Sequence, residues 1–293
     1  MRFICFIVVL LAACATKSQW GGESTPDLTQ AVLIGSAHYR DSLQVLPNYE
    51  FESNRRGLDI FSRSIDKNDS SRCDKALKDF LSFQKKLIDE LNQQLYARAD
   101  FDTINTLIWA DTTLYAQSAL TFQNELRQQG LLIRSTEGGV YIDADMEPIR
   151  EIFYKYLTSS TKLFFDQFAL ESNQGIAEDG GMYISERELA DRLGFWEEFI
   201  MNNPGHIFKD FAEDNVKYYR YYLMVGMDNT PAFDFESRKL LTAYKQALIY
   251  YQQRFGKTPG ATIFKKYLTL VETNNDMLVG EAAQFADSYT PWE

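Results

Sequence analysis

The chain has 293 residues, a formal net charge of −11, 45% hydrophobic and 14% aromatic residues, three cysteines and two histidines. Its acidity argues against nucleic acid as a partner and against adhesion to anionic lipid through a basic surface, since both need clustered Lys and Arg. Its length and apolar content suffice for a sizeable core in one large or two small domains.

The first element is an apolar run from Phe3 to Ala13 preceded by one positive charge, Arg2. A bilayer-spanning helix needs roughly 20 apolar residues. Here Thr16, Lys17, Ser18 and Gln19 end the run well before that, which is the pattern of a secretory signal. Leu11, Ala12 and Ala13 directly precede Cys14. This stretch resembles the bacterial lipoprotein signal, whose lipobox is Leu, two small residues and Cys. The resemblance covers residues 1–14 and implies diacylglycerol transfer to the Cys14 sulfur, cleavage before Cys14 and acylation of the new amino terminus. Two or more acyl chains make a stable anchor where one would be marginal. Ala15, in place of the Asp that often signals inner-membrane retention, implies the periplasmic face of the outer membrane. An ordinary signal peptide cleaved after Ala12 and Ala13 is the alternative. Removing residues 1–13 takes away Arg2 and Cys5, so the charge becomes −12. With Cys14 acylated, Cys73 remains as a single thiol that has no partner for an internal disulfide.

Residues 14–30 read as the lipidated Cys and a flexible tether, rich in Gly, Ser, Thr, Pro and Gln. Residues 31–293 form one mainly helical domain, of which 31–73 carries a mixed signal. Beyond Asp74, Leu77, Phe80, Leu81, Leu87, Ile88, Leu91 and Leu95 recur at three- and four-residue steps, predicting an amphipathic helix. Asp102 to Gln128 repeats the design, with Gly130 as its stop, so the two should pair antiparallel. The period then changes: "LLIRSTEGGVYID", residues 131–143, predicts a small β-hairpin turning at Gly138 and Gly139. Such a hairpin is marginal alone and must lean on helices or a partner.

Helical spacing resumes after Pro148 through "IREIFYKYL" and "TKLFFDQFAL". Ser185 and Glu188 have capping-box spacing and open a helix that should stop at Pro204. Another helix fits the residues up to Gly226. Thr230, Pro231 or Asp234 should open the next, ending at Gly256, and a last helical pair covers Thr262 to about Ala286. Pro-Gly pairs at 204–205 and 259–260 each follow an aromatic helix end and precede Ile-Phe-Lys, 55 residues apart, which suggests stacked helix-turn-helix units. The second unit resembles part of the tetratricopeptide pattern at Ala247, Tyr251 and Pro259, but Arg254 replaces an expected small residue. Arg192 and Trp196 depart from it in the first unit. The fold expected is therefore all-α: a multi-helix bundle or tetratricopeptide-like array with one hairpin.

Motifs for chemistry are sparse. The chain contains no H-E-x-x-H, no G-x-S-x-G and no C-x-x-C. Gly256, Lys257 and Thr258 resemble the end of a P-loop, but Tyr251 stands where its first glycine belongs. No cofactor is implied. Asp143, Asp145 and Glu147 alternate after the hairpin, but Pro148 and Tyr154 break an EF-hand pattern. A looser divalent site with Glu178 and Asp179 is one reading; acids capping the next helix are the other. His38 and His206 lie too far apart to infer pairing, and His206 should serve as a cap or a surface residue. Tyr218, Tyr219, Tyr221 and Tyr222 project around most of a helix, which suits recognition of a peptide or glycan and equally suits core packing. The chain reads as a lipid-anchored cell-envelope module that binds or scaffolds an envelope protein or glycan. The alternatives are an envelope hydrolase acting on peptidoglycan or another glycan, and a small-ligand carrier.

Overall fold

A computed structural model of the chain describes residues 36–109, 117–136 and 139–292. The lipobox residues Leu11, Ala12 and Ala13, the lipidation candidate Cys14 and the tether lie outside the described residues. Among those described, twelve α-helices surround a core to which three two-stranded ribbons are attached, so the chain is all-α. No helix there is long and apolar enough to cross a membrane.

The segment whose sequence signal was mixed is helical from residue 36 onward. Helices α1 (Ser36–Gln44) and α2 (Glu52–Ser64) pack on α3 (Ser70–Tyr96) through Tyr39, Leu43, Leu58, Phe61, Cys73, Leu77 and Phe80. Gly57 allows this close approach: a Cβ there would stand 3.0 Å from Leu43 and 3.1 Å from Phe80. Asp69 starts α3 by accepting from the Arg72 backbone N–H, satisfying a donor that the first turn leaves without an intrahelical partner. The α3 periodicity buries Leu77, Phe80, Leu87, Leu91 and Leu95 as predicted, while Leu81 and Ile88 stay half-buried beside a groove.

The segment predicted as one helix, Asp102–Gln128, is helical at α4 (Phe101–Trp109) and α5 (Gln117–Gln128), with the residues between them outside the description. Gly130, at φ +77°, ends α5 and starts the hairpin β1 (Leu131–Thr136) and β2 (Gly139–Ala144), in register from Leu131 opposite Ala144 to Thr136 opposite Gly139. The hairpin does lean on helices. Leu131, Val140 and Ile142 bury against Leu87, Leu91, Leu95, Ile104 and Leu126. Asn92 of α3 clamps the edge of β2, donating to the Ile142 carbonyl and accepting from the Ile142 N–H at 2.9 and 2.7 Å. In addition, buried Gln84 donates to Asn54, which donates to the Gln129 carbonyl, so one amide chain ties α3, α2 and the hairpin entry.

Helix α6 (Met146–Phe153) is capped by Asp145, and a single 3₁₀ turn (Tyr154–Tyr156) leads to α7 (Ser159–Gln174), capped by Thr158. A two-residue ribbon, β3 (Ala177–Glu178) with β4 (Gly181–Met182), precedes α8 (Glu186–Asn202). Ser185 accepts from the Glu188 N–H as predicted, but the Glu188 carboxylate pairs with Arg192, so only half of the capping box forms. Helix α9 (Lys209–Val225) follows the Pro204-Gly205 turn.

The expected helix start at Thr230, Pro231 or Asp234 is corrected. Residues 226–231 form a second minimal ribbon, β5 (Gly226–Met227) with β6 (Thr230–Pro231), and α10 (Thr242–Arg254) begins later. Gly226 holds φ +77°, and a Cβ there would stand 2.4 Å from the Ala232 nitrogen and the Thr230 oxygen, so the chain reverses sharply. Asp234 accepts from Ser237 in a local turn, and the Leu240 and Leu241 N–H groups donate to Asp276 and Ala232, holding this stretch extended. Next come α11 (Pro259–Thr273), with Pro259 in its first turn, and α12 (Glu281–Asp287). Helices α8 and α9 pair, α10 and α11 pair, and α8 packs on α10, so the consecutive hairpins stack.

Candidate functional site

An open cleft of about 1190 Å³ lies between the β1–β2 hairpin and the turn that leaves α7. Its walls are Ile133–Thr136 and Tyr141 on the hairpin, Ser172–Gly175 at the end of α7, and Ala177–Asp179 with Tyr183 around the ribbon. Arg134 fixes the two sides. Its Nε donates to Asp143 at 2.6 Å, and its Nη2 reaches the Ser172 carbonyl at 3.4 Å and Asn173 at 3.5 Å.

Behind the opposite wall, Arg192 is almost fully buried and donates to the Gly175 carbonyl at 2.9 Å, to Gln174 at 2.7 Å and to Glu188 at 2.8 Å. The C-terminal end of α7 thus receives a guanidinium where its carbonyls lack helical partners. The β3–β4 ribbon is held from behind by Thr230, which accepts from the Met182 N–H, and by the Asn229 N–H, which donates to Gly180. Tyr183 bonds to the Glu178 carboxylate. Desolvation first, and the nearby Asp143 carboxylate second, hold the Tyr141 phenol above its ordinary pKa and therefore protonated. The cleft offers two phenols, amides and backbone groups, a set suited to hydrogen bonding and stacking against a polar ligand.

The five acids singled out in the sequence are partly brought together here. Asp143 lies behind Arg134, and Glu178 and Asp179 line the far wall. Asp145 is instead spent on the α6 cap, accepting from the Glu147 N–H at 3.0 Å, and Glu147 lies in the first turn of that helix. Among the described residues, no group of three or more His, Cys, Asp or Glu side chains is placed to hold a metal ion.

The four tyrosines separate by helical phase. Tyr219 turns inward and donates to the Glu171 carboxylate at 2.7 Å, while Tyr218, Tyr221 and Tyr222 stay half-exposed and gather around Trp292, with centroids 5.4 to 6.4 Å away. His206 does serve as a local cap, its Nδ1 accepting from the Phe208 N–H at 3.3 Å at the entry to α9, but it is not a free surface group. Its ring bonds to the Thr161 hydroxyl at 3.0 Å and packs against Phe199 and Phe164, and burial lowers its pKa, with the nearby Lys78 charge acting in the same direction and Asp74 against it.

Two acids, Glu171 half-buried and Glu197 buried, escaped the sequence reading. Glu171 accepts from the Trp196 indole N–H and from Tyr219, and Glu197 accepts from Arg220, Tyr251 and the Gly260 backbone N–H. Neither belongs to a motif, and with 41 acids in the chain nothing local marks these two. Their signal was position: each lies on the side of its helix that meets donors from other helices.

The fold and the cleft define the class as an all-α helical-bundle protein with a polar, aromatic-walled groove at one hairpin. No protein-family model, no curated protein and no solved structure matches this chain.

Proposed function

We propose that this protein is a lipid-anchored cell-envelope protein, held through Cys14 on the periplasmic face of the outer membrane, whose helical domain binds or scaffolds an envelope glycan or protein. The single observation that supports the binding half of this reading is the cleft of about 1190 Å³ walled by Tyr141, Tyr183, Arg134 and the end of α7. Phenols supply flat apolar faces with a polar edge, and the amides and carbonyls around them suit a ligand dense in hydroxyl or peptide groups. The half-exposed Tyr218, Tyr221, Tyr222 and Trp292 add a second aromatic surface for a protein partner. The lipobox Leu11-Ala12-Ala13-Cys14 supports the anchoring half.

Two experiments test the halves separately. Metabolic labelling with a palmitate analogue should mark the wild-type chain and not Cys14→Ala; a labelled, cleaved Cys14→Ala chain removes the anchor from the proposal. Titration with soluble peptidoglycan fragments and crosslinking in cells should give a ligand whose binding falls on Tyr141→Ala or Tyr183→Ala. Partners captured equally by wild type and both variants would place recognition elsewhere.

A further inference from the structure

On the face of α3 turned toward α7 and α9 lies a second groove of about 400 Å³, and its lining differs in kind from that of the cleft. Leu81 and Ile88 form one wall. Phe164, Phe168, Phe208 and Phe211 form the floor and the other wall, with Phe164 stacked on Phe208 at 4.0 Å and Phe168 edge-on to Phe211 at 5.3 Å. Along α3 the groove runs from Lys78 to Asp89, which at 1.5 Å per residue is about 16 Å, a slot three helical turns long.

The polar groups at this slot are already engaged, with one exception in charge. Gln84 donates to Asn54, Asp143 accepts from Arg134, and Lys85 pairs with Asp89. Lys78 donates to the Ile207 carbonyl, which leaves its charge intact, and among the described residues no carboxylate pairs with it. A peptide laid in this slot would bring backbone N–H and C=O groups against walls that offer them few partners. An unbranched acyl chain brings none, gains from every methylene it buries, and needs one cation at one end for its carboxylate.

We infer that the α3–α7–α9 groove is a binding site for a medium- or long-chain fatty acid, its chain along Leu81 and Ile88 and its carboxylate at Lys78. This goes beyond the proposed envelope function and does not depend on the anchor or on the polar cleft.

The test uses the full chain carrying Cys14→Ala, purified without detergent, and dodecanoate labelled with carbon-13 at the carboxyl. Dodecanoate should saturate at one molecule per chain, with its carboxyl titrating at lower pH than in water. Lys78→Met should weaken binding about tenfold and return that titration to its value in water, because the charge-assisted hydrogen bond is lost. Lys75→Met, on an exposed part of the same helix, should change neither. Leu81→Glu, at a half-buried position, should abolish binding while leaving the helical circular dichroism signal in place; Phe168→Glu provides a second wall variant.

Absence of saturable binding would overturn the inference, as would dodecylammonium binding as tightly as dodecanoate or Lys78→Met binding like wild type. A photocrosslinker at Ser82 that captures a second copy or another protein, in a chain that ignores dodecanoate, would assign the groove to a protein instead.

Discussion

The carboxylate of Glu197, in the middle of α8, accepts a hydrogen bond at 2.8 Å from the backbone N–H of Gly260, in the first turn of α11. One buried charge thus caps a helix 63 residues away in sequence while also receiving Arg220 at 2.5 Å and the Tyr251 hydroxyl at 2.8 Å. The cap replaces the side chain at the usual N-cap position, since Thr258 turns its hydroxyl to the Phe255 carbonyl instead.

Glu197→Ala should destabilise the chain by about 3–5 kcal/mol, because it leaves the Arg220 guanidinium largely buried without its partner and the α11 N-terminus without its acceptor. Glu197→Gln should cost less, as its amide oxygen still accepts from one donor. Urea midpoints of the two variants check this; equal midpoints for wild type and Glu197→Ala would contradict it.

The two Pro-Gly turns look alike in sequence and should respond differently to one methyl group. A Cβ on Gly260 would stand 2.9 Å from both Glu197 Oε2 and the Tyr251 hydroxyl, whereas a Cβ on Gly205 meets nothing within 4 Å. Gly260→Ala is therefore expected to cost about 1–3 kcal/mol by overpacking, and Gly205→Ala to stay within about 0.5 kcal/mol of wild type. Thermal unfolding of both variants, run in parallel, reads the contrast.

Burial raises the Glu171 pKa above its ordinary value, against the opposing pull of the hydrogen bonds from Gln167, Tyr219 and Trp196. The native state therefore holds this proton more tightly than the unfolded chain. The stabilisation that Glu171 contributes through protonation is complete below the unfolded value and lost as pH rises through the folded one. The stability difference between wild type and Glu171→Gln should accordingly shift against wild type as pH increases from just below the ordinary glutamate range toward neutrality. Urea titrations at a series of pH values give that difference, and a shift in favour of wild type over this interval would refute the assignment.

Cys73 is buried among α1, α2 and α3, and desolvation, followed by the nearby acids Asp74, Asp69 and Asp66, pushes its thiol up to about 11. Since the thiolate is the reacting species, iodoacetamide should label Cys73 in the native chain far more slowly than in urea. A chain that begins at residue 14 and carries Cys14→Ala isolates this thiol for mass spectrometry. Equal labelling rates in both conditions would show that α1 and α2 do not cover it.

Local chemistry was legible along the chain. The apolar rows of α3, the Ser185 cap, the Gly130 stop and the pairing of β1 with β2 all rest on interactions between residues close in sequence, which spacing alone encodes; the predicted turn at Gly138 lies outside the described residues. The same locality explains what went unread. Nothing near Thr230 or Asp234 announces that Gly226 must reverse the chain under Ala232, or that distant Asp276 holds Leu240 extended, so the predicted helix began too early.

The sequence by itself determined that this is an all-α chain, where most of its helices run, and that a hairpin near residues 131–143 interrupts them. Only the tertiary structure decided which polar groups act together: Arg134 with Asp143 and α7, Glu171 with Tyr219 and Trp196, Glu197 with Gly260. It also decided that Tyr219 faces the core while its three neighbours face Trp292. The physical reason is that periodicity records how an element meets the solvent, whereas a buried charge is selected by donors that arrive from other elements once the helices pack.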